Sequence, residues 1–297
     1  MTERRCMTCD TSEPLNPSKP APGLYIVATP IGNLRDITYR AIDTLVAADV
    51  IACEDTRVTT KLLTAYDIDT TMVPYHEHNA AKMRPQLLDR LRGGAIVALV
   101  SDAGTPLISD PGYKLVREAV AAGIPVSTLP GASAPLAALA AAGLPTDRFY
   151  FAGFPPTRRT ARRAALARLA AIDATLVFFE SPRRLANSLA DMRDAFGRRN
   201  AVVARELTKR FEEFRRSDLD ALAAHYGATG PPKGEIVVLV APASSEASAA
   251  QQRDLDDLLR QALEDMSVRD AAATVSVATG LPRRDVYARA LELDREE

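Results

Sequence analysis

The chain has 297 residues, of which 47% are hydrophobic and 25% charged, and its formal net charge is −1. This length allows two domains with ample cores, the composition is that of a globular protein, and the balance of charge excludes a uniformly basic polyanion binder. Between Arg148 and Arg216, however, 16 Lys and Arg stand against 7 Asp and Glu. That local excess predicts either contacts with a polyanion or solvated, arginine-rich helix faces, and both interpretations stay open.

Cysteine usage and hydrophobic patterning place limits on the environment of the protein. Cys6, Cys9 and Cys53 are too few and too scattered for a disulfide framework. Since no apolar run reaches the ~18–20 residues that span a membrane, and no signal-peptide core follows Met1, we expect a cytoplasmic protein without membrane contact. His76-Glu-His78 has the spacing of a metal motif but lacks a third ligand, so we predict no metal site.

The first part of the chain predicts a proline-rich, disordered leader followed by an α/β domain. Residues 1–22 carry little that could be buried, and from residue 23 to 143 short apolar strands alternate with helical patterns. This alternation is typical of a mostly parallel sheet. The predicted strands cover 24–29, 50–53, 72–75, 96–100 and 125–129, and the predicted helices lie near 37–48, 60–65, 83–91 and 113–122.

A second alternation of strands and helices follows a predicted boundary near 143–145, and it extends from 144 to 242. Its predicted strands cover 149–151, 175–179, 201–204 and 235–240, and its predicted helices cover 158–171 and 183–195. An Ala/Ser-rich linker over 241–250 leads to a small helical unit over 254–297. Two helices over 268–279 and 283–293 flank a turn at 280–282, a spacing that fits a helix-turn-helix or an ordinary helical hairpin.

Three loops of small and polar residues follow predicted strands of the first domain. They cover 29–34, 101–106 and 129–133. None matches the dinucleotide-binding or P-loop fingerprints. Because ligands of open α/β sheets bind beyond the carboxyl ends of the strands, and because glycine lets the backbone approach a ligand, these loops predict one shared ligand site.

Charged groups also follow the predicted strands. Glu54, Asp55 and Arg57 come directly after the second strand, where they could be catalytic or could cap and pair at a helix N-terminus. Four basic residues follow strands of the second domain, and their forks and amines suit phosphate oxygens, although an ion-pair network with nearby glutamates is the alternative. These four residues are Arg183, Arg184, Arg205 and Lys209.

Seven segments, in this order, resemble the tetrapyrrole methylase superfamily and, more closely, the ribosomal RNA small subunit methyltransferase I family. They are 28–38, 53–57, 101–112, 129–133, 151–156, 180–183 and 205–209. The resemblance implies two α/β domains of tetrapyrrole-methylase type with a cofactor cleft between them, followed by a small C-terminal helical unit. It also implies S-adenosylmethionine as cofactor and a cytidine ribose 2′-hydroxyl of small-subunit (16S) RNA, in the 30S subunit, as acceptor. A homodimer is expected from the same resemblance.

By this resemblance, a set of loop residues would line the cofactor. They are Pro30, Asp102, Ala103, Gly104, Thr105, Pro106, Ile108, Ser109, Pro130, Gly131, Ser133, Phe179 and Glu180. Since a ribose hydroxyl is a poor nucleophile, we predict that Glu54 or Asp55 orients or deprotonates it, while Arg57 and Lys61 hold phosphate nearby. The four basic residues of the second domain would contact RNA.

Two other functions are compatible with the same sequence. One is methylation of a tetrapyrrole or another small molecule, although 5% aromatic residues and no Trp do not favour an aromatic-lined pocket. The other is a non-catalytic RNA-binding module in ribosome assembly, which would need no S-adenosylmethionine. Binding of the cofactor separates this module from both enzymes.

Overall fold

A computed structural model describes residues 19–110, 112–243, 255–279 and 283–296. The first half of the fold is a five-stranded sheet in the order β3-β2-β4-β1-β5, with all pairings parallel. Its strands are β1 (Gly23–Val27), β2 (Val50–Cys53), β3 (Met72–Pro74), β4 (Ile96–Val100) and β5 (Val126–Leu129). Every residue of β2 and β4 is buried, as expected for central strands covered on both faces.

Helices cover both faces of the first sheet. They are α1 (Tyr39–Ala47), α2 (Thr56–Ala65), α3 (Ala80–Arg92) and α4 (Tyr113–Ala121), and a short 3₁₀ helix covers Leu34–Asp36. The next helix, α5 (Ala134–Ala142), packs against the sheet of the second half instead. One apolar cluster, with Leu99 and Leu115, lies on one face, and another, with Leu45 and Ile51, lies on the other. The strands of this half and the parallel sheet agree with the prediction, whereas α2 begins four residues earlier because Asp55 caps it.

The second half is a mixed sheet in the order β6-β7-β10-β8-β9. Its elements are β6 (Phe149–Gly153), α6 (Arg159–Leu169), β7 (Thr175–Glu180), α7 (Leu185–Phe196), β8 (Asn200–Arg205), β9 (Glu213–Asp218), α8 (Leu219–Thr229) and β10 (Ile236–Val240). Only β6 and β7 pair in parallel, and β10 and β9 run antiparallel to their neighbours. A core with Phe178, Leu189 and Val238 packs beneath α6, α7 and α8.

In the two α/β halves the sequence patterns missed the helices α5 and α8 and the strand β9, and in the C-terminal unit they missed the helix over residues 255–263. Helix α5 is almost uniformly apolar and therefore shows no helical stripe. Strand β9 has the polar sequence EFRRSD, because it lies at the sheet edge and is largely exposed. Its Arg216 nevertheless has a structural role, since Nη2 donates to the Ala141 carbonyl at 2.6 Å and Nε to the Ala142 carbonyl at 3.0 Å at the end of α5.

The C-terminal helical unit contains α9 (residues 255–263), α10 (Val268–Thr279) and α11 (Arg283–Glu296). Leu259, Val275 and Val286 belong to its small core. The predicted turn at 280–282, most of the linker and the leader through residue 18, with Cys6 and Cys9, lie outside the described residues. The domain boundaries therefore stay predictions. None of the helices in the described parts is both long and apolar enough to cross a membrane.

Candidate active site

The three small-residue loops meet at the carboxyl ends of adjacent strands β5, β1 and β4. Thr29 and Gly104 exchange backbone hydrogen bonds, each with N···O of 2.9 Å. Thr105 Oγ1 donates to the Ala132 carbonyl at 3.2 Å, which links the second loop to the third. The loops thus form one continuous surface, as the strand order requires.

A cavity of about 370 Å³ lies between these loops and the second half of the molecule. This volume is in the range of small-molecule sites. The first half supplies Ile31, residues 103–105, residues 108–110 and residues 133–135. The second half supplies Phe154, residues 179–182, Leu207 and residues 234–237. Most of these side chains are apolar, and loop backbone adds polar groups between them.

Eight of the thirteen predicted cofactor residues line this cavity. They are Ala103, Gly104, Thr105, Ile108, Ser109, Ser133, Phe179 and Glu180. The other five, which are Pro30, Asp102, Pro106, Pro130 and Gly131, lie outside its lining. Gly131 is needed for close packing instead, because a Cβ there would lie 2.9 Å from the Cβ of Ala28.

Sequence reasoning missed much of the wall that comes from the second half. Phe154 is 58% exposed, and its ring centroid lies 5.3 Å from that of Phe179. Leu207 and residues 234–237 also face the cavity. Phe154 lies in segment 151–156, one of the seven segments on which the family resemblance depends. Residues 234–237 gave no such signal, because the sequence indicated only a strand there. Their position depends on β10 running antiparallel to β7, which no local pattern showed.

Strained backbone is concentrated in the two loops that meet across the cavity. Leu107 and Ser109 have φ of 74° and 71° in the loop after β4. Glu206 and Thr208 have φ of 51° and 64° in the loop between β8 and β9. Non-glycine residues adopt positive φ at an energetic cost, and such residues cluster at functional sites.

Glu180 contributes to the wall, but its buried carboxylate is engaged within the protein. Oε1 accepts a hydrogen bond from the Ser181 backbone N–H at 2.7 Å, and Oε2 accepts one from the Ser188 hydroxyl. Arg184 Nε lies 3.2 Å from Oε1. The carboxylate therefore anchors the start of α7, and its neutralised charge leaves little for a ligand.

A group of three carboxylates lies beside the cavity, and Asp110 of this group lines it. Burial raises the pKa of Glu54, of Asp102 and of Asp110, and repulsion from a nearby carboxylate raises each further. For Glu54 the repelling groups include Asp110 and Asp102, for Asp110 it is Asp102, and for Asp102 it is Asp55. Asp102 also accepts a hydrogen bond from the Asp55 backbone N–H at 3.0 Å, which joins the ends of β2 and β4. A carboxylate with a raised pKa is a better proton acceptor than an ordinary one.

Asp55 has the opposite environment. Its carboxylate accepts hydrogen bonds from the Arg57 side chain and from the Arg57 backbone N–H, and together these lower its pKa to about 2. It also caps helix α2. Arg57 is 88% exposed, and Lys61 is exposed one turn further along the helix. Asp55 therefore has the capping and pairing role that was one alternative for this segment, and a catalytic role for Glu54 stays a prediction.

The four residues predicted to contact RNA differ in whether their charge is already paired within the protein. Arg183 is exposed and has no ion-pair partner within the described part of the chain. Arg205 Nη2 lies 2.9 Å from Glu213 Oε2. Lys209 Nζ lies 2.8 Å from Glu206 Oε1, and its methylenes cover Gly32. With Arg184 paired to Glu180, three of the four belong to intramolecular ion-pair networks, which was the alternative interpretation.

No cluster of three or more His, Cys, Asp or Glu with a geometry suited to a metal ion occurs in the described ranges. At the 76–78 motif, the His76 backbone N–H donates to Asn79 Oδ1 at 2.9 Å, just before α3. This contact shapes a turn.

Comparison with known proteins gives matches over nearly the whole chain. The family model of tetrapyrrole (corrin/porphyrin) methylases matches residues 23–223, and that of the RsmI C-terminal HTH domain matches residues 249–294. A protein of Mesorhizobium japonicum, named ribosomal RNA small subunit methyltransferase I, is 54% identical over 288 residues, which are 97% of each chain.

Solved structures share the fold at much lower identity. A cobalt precorrin-4 methyltransferase from cobalamin biosynthesis aligns with a TM-score of 0.56 and 22% identity, over 73% of this chain and 94% of that one. A uroporphyrin-III C-methyltransferase from Thermus thermophilus, complexed with S-adenyl homocysteine, aligns with a TM-score of 0.51 and 20% identity, over 73% and 96% of the two chains. By these matches, the chain is a tetrapyrrole-methylase-fold methyltransferase that belongs to the ribosomal RNA small subunit methyltransferase I family.

Proposed function

We propose that the protein transfers a methyl group from S-adenosylmethionine to the 2′-hydroxyl of a cytidine ribose in small-subunit ribosomal RNA. The name of the relative that is 54% identical supports the RNA substrate. The observation that carries the reaction type is the cavity itself, which has raised-pKa carboxylates at its edge, with Asp110 in its wall. Methyl transfer to a hydroxyl needs a bound methyl donor and a nearby proton acceptor.

The cavity suits S-adenosylmethionine in size and in chemistry. Phe154, Phe179 and Leu207 offer apolar surface for a nucleoside, and the loops supply backbone groups for its polar edges. Asp110 in the wall, which has no ion pair within the described residues, suits the positive charge of a sulfonium or an amine. When bound, this group supplies an electrophilic methyl whose transfer needs no proton donor.

We assign proton removal to Glu54 rather than Asp55. Glu54 has a raised pKa because of burial and the neighbouring Asp110 and Asp102. Asp55, with a pKa of about 2, is a weak base and is occupied by Arg57. With S-adenosylmethionine bound as methyl donor, Glu54 would accept the proton that the 2′-hydroxyl loses when it is methylated. Arg57 and Lys61, exposed on one face of α2, hold a phosphate of the substrate strand.

We further infer that the protein acts on the assembled 30S subunit in the cytoplasm and works as a homodimer. Both inferences rest on the family resemblance. Sedimentation of the purified protein checks the dimer, and comparison of naked 16S RNA with 30S subunits as substrates checks the assembled context. Methylation of naked RNA but not of 30S subunits would contradict the inference that the assembled subunit is the substrate.

The decisive experiment is transfer of labelled methyl from S-adenosylmethionine to purified small ribosomal subunits. We expect label in an alkali-resistant dinucleotide, because a methylated 2′-oxygen cannot attack the adjacent phosphodiester. Bound cofactor with no label in RNA would indicate a small-molecule acceptor instead. RNA binding with no affinity for S-adenosylmethionine would indicate the non-catalytic assembly module.

A further inference from the structure

A second concave surface lies in the C-terminal helical unit and shares no residue with the cavity. It has a volume of about 420 Å³, and it is lined by Arg269 of α10 and by Arg283, Arg284 and Tyr287 of α11. We name these four residues the arginine cleft. All four are exposed. The arginine cleft thus places three cations and one aromatic ring around a shallow concavity. None of these side chains has a role in the proposed methyl transfer.

The arginines of the cleft differ from Arg260 and Arg289 of the same unit. Arg289 pairs with Asp256 at 2.7 Å and with Glu292 at 2.8 Å, and Arg260 lies 3.6 Å from Asp257. By contrast, none of the three cleft arginines has an ion pair or a side-chain hydrogen bond within the described residues. Asp270, next to Arg269, is hydrogen-bonded to Ser267 at 2.7 Å.

This cluster has no evident role in stability. Residues 255–297 hold ten Asp and Glu against six Lys and Arg, so acidic partners are abundant in the unit, yet the cleft gathers half of its cations. Arg283 and Arg284 also occupy the first turn of α11, where the helix dipole disfavours positive charge. Repulsion among the three guanidinium groups adds to that cost. A bound anion would relieve both effects.

We propose that the arginine cleft is a second RNA-binding site, at which the three guanidinium groups bind phosphate oxygens of the substrate strand and Tyr287 stacks on a neighbouring base. Guanidinium forks match phosphate oxygens, and a tyrosine ring beside them provides a stacking face for an unpaired base. The inference rests on the proposed RNA substrate, and it names a contact remote in sequence from the methyl-transfer residues.

The structure also indicates why such a contact is useful. The cavity is flanked by Glu54, Asp102 and Asp110, which repel phosphate, and three of the four basic residues predicted to contact RNA are consumed by ion pairs. Affinity for a polyanion comes mainly from cations that neutralise phosphates. Unpaired arginines outside the cavity can supply that affinity without neutralising the carboxylate that accepts the proton.

The test compares full-length wild type with R269Q/R283Q/R284Q in binding to purified 16S RNA. We expect at least tenfold weaker binding at physiological salt and a salt slope reduced by about 2, given a reduction of ~0.7 for each lost contact with a single strand. The KM for RNA should rise while kcat and the KM for S-adenosylmethionine stay near wild-type values. The control is R260Q, which removes one positive charge from the same unit but outside the cleft. This variant should bind RNA as tightly as wild type does.

Two further variants test the remaining parts of the proposal. Tyr287→Ala should weaken binding about fivefold or more through lost stacking, and Tyr287→Phe should restore it. The thermal midpoint of the triple variant should equal or exceed that of wild type, because its arginines are unpaired and oppose a helix dipole. Weak RNA binding with an intact midpoint therefore identifies a lost site rather than an unfolded unit.

The outcomes separate this inference from the proposed function. Equal RNA affinity and salt slope in wild type and the triple variant would overturn the cleft, even if methyl transfer succeeds. Weakened binding to 30S subunits with unchanged binding to naked RNA would assign the cleft to a ribosomal protein and also overturn it. If wild type binds RNA through the cleft but transfers no methyl to it, the cleft stands and the proposed reaction fails.

Discussion

The loops of the first sheet leave carboxylates without cationic partners, whereas the second half of the molecule pairs its arginines. Three of these carboxylates, Glu54, Asp102 and Asp110, have no ion pair within the described residues. Each of them has a raised pKa. Between residues 148 and 216, nine of the 16 basic side chains lie in ion pairs. The excess of positive charge in this segment is therefore mostly structural.

This difference shows that counted charge and available charge are separate quantities. The second half carries a basic excess, but Asp191 alone binds both Arg159 and Arg162. The first half has no comparable excess of either sign, yet its loops bring three acidic groups together at the cavity. Reactivity follows from which charges lack partners, and substitutions in each half can test that principle.

The largest expected effect is on catalysis. Glu54→Gln should lower kcat by about 10²–10⁴-fold, because a general base contributes roughly that factor. In wild type, kcat should rise with pH through the Glu54 pKa, which lies above the ordinary 4.5. The variant should lose this dependence. Single-turnover methyl transfer across a pH series measures both effects.

Asp55→Asn is the matched control for that prediction. It leaves Glu54 in place but weakens the cap of α2 and the pairing with Arg57. We expect a lower thermal midpoint with a smaller loss of kcat than in Glu54→Gln. A larger loss of kcat in Asp55→Asn would reverse the assignment of the base.

In the second half, the largest effect should be on stability. Asp191→Asn leaves the buried guanidinium of Arg162 without its charge partner, and breaking a buried pair costs about 3–5 kcal/mol. The exposed pair of Arg148 and Asp173 provides the control, since Asp173→Asn should cost about 0–1 kcal/mol. Urea denaturation measures both free energies of unfolding. Equal midpoints for the two variants would show that the buried pair contributes no more than the surface pair.

Local patterns were enough to predict the parallel half of the fold. Strands β2 and β4 are continuous apolar runs flanked by glycines or charges, so hydrophobicity alone indicated them. The order of these strands then made the three loops neighbours. Edge strand β9 was missed because its residues EFRRSD face solvent and the end of α5, and its pairing with β8 is a long-range property.

The site was predictable to a similar extent. Loop residues 103–105 and 108–109 could be predicted because their composition fits a ligand loop. The pKa contrast between Glu54 and Asp55 could not, because it depends on burial and on which group Arg57 reaches. Equally, nothing in the sequence distinguishes unpaired Arg183 from paired Arg205, since both follow strands and stand near acidic residues.

That pair of arginines provides the next test. Arg183→Gln should weaken RNA binding by a few-fold and reduce the salt slope by ~0.7, because it removes one available phosphate contact. Arg205→Gln should leave the slope unchanged and lower the thermal midpoint, since it breaks the contact with Glu213. Fluorescence anisotropy over a salt series, with thermal melts of the same samples, gives both results. A reduced slope in Arg205→Gln alone would show that its ion pair opens to bind RNA.

The smallest expected effect is on stability, because the buried carboxylate of Asp110 destabilises the folded state when it is charged. Burial raises the pKa of Asp110 above its ordinary 3.8, so the folded state holds its proton at pH values where the unfolded chain has released it. Stability therefore falls as pH rises through the interval between those two pKa values, and the loss persists near neutrality. Asp110→Asn removes this loss.

The variant should accordingly melt higher than wild type near neutral pH, and the difference should disappear below pH 3.8, where the wild-type carboxyl is protonated. Since Asn retains a side-chain acceptor for Ser101, a partner that lowers the Asp110 pKa, the comparison isolates the charge. An equal difference in thermal midpoint at both pH values would assign the effect to packing. A pH-dependent difference would show that the fold holds the unpaired carboxylate of Asp110 at the cavity at a cost in stability.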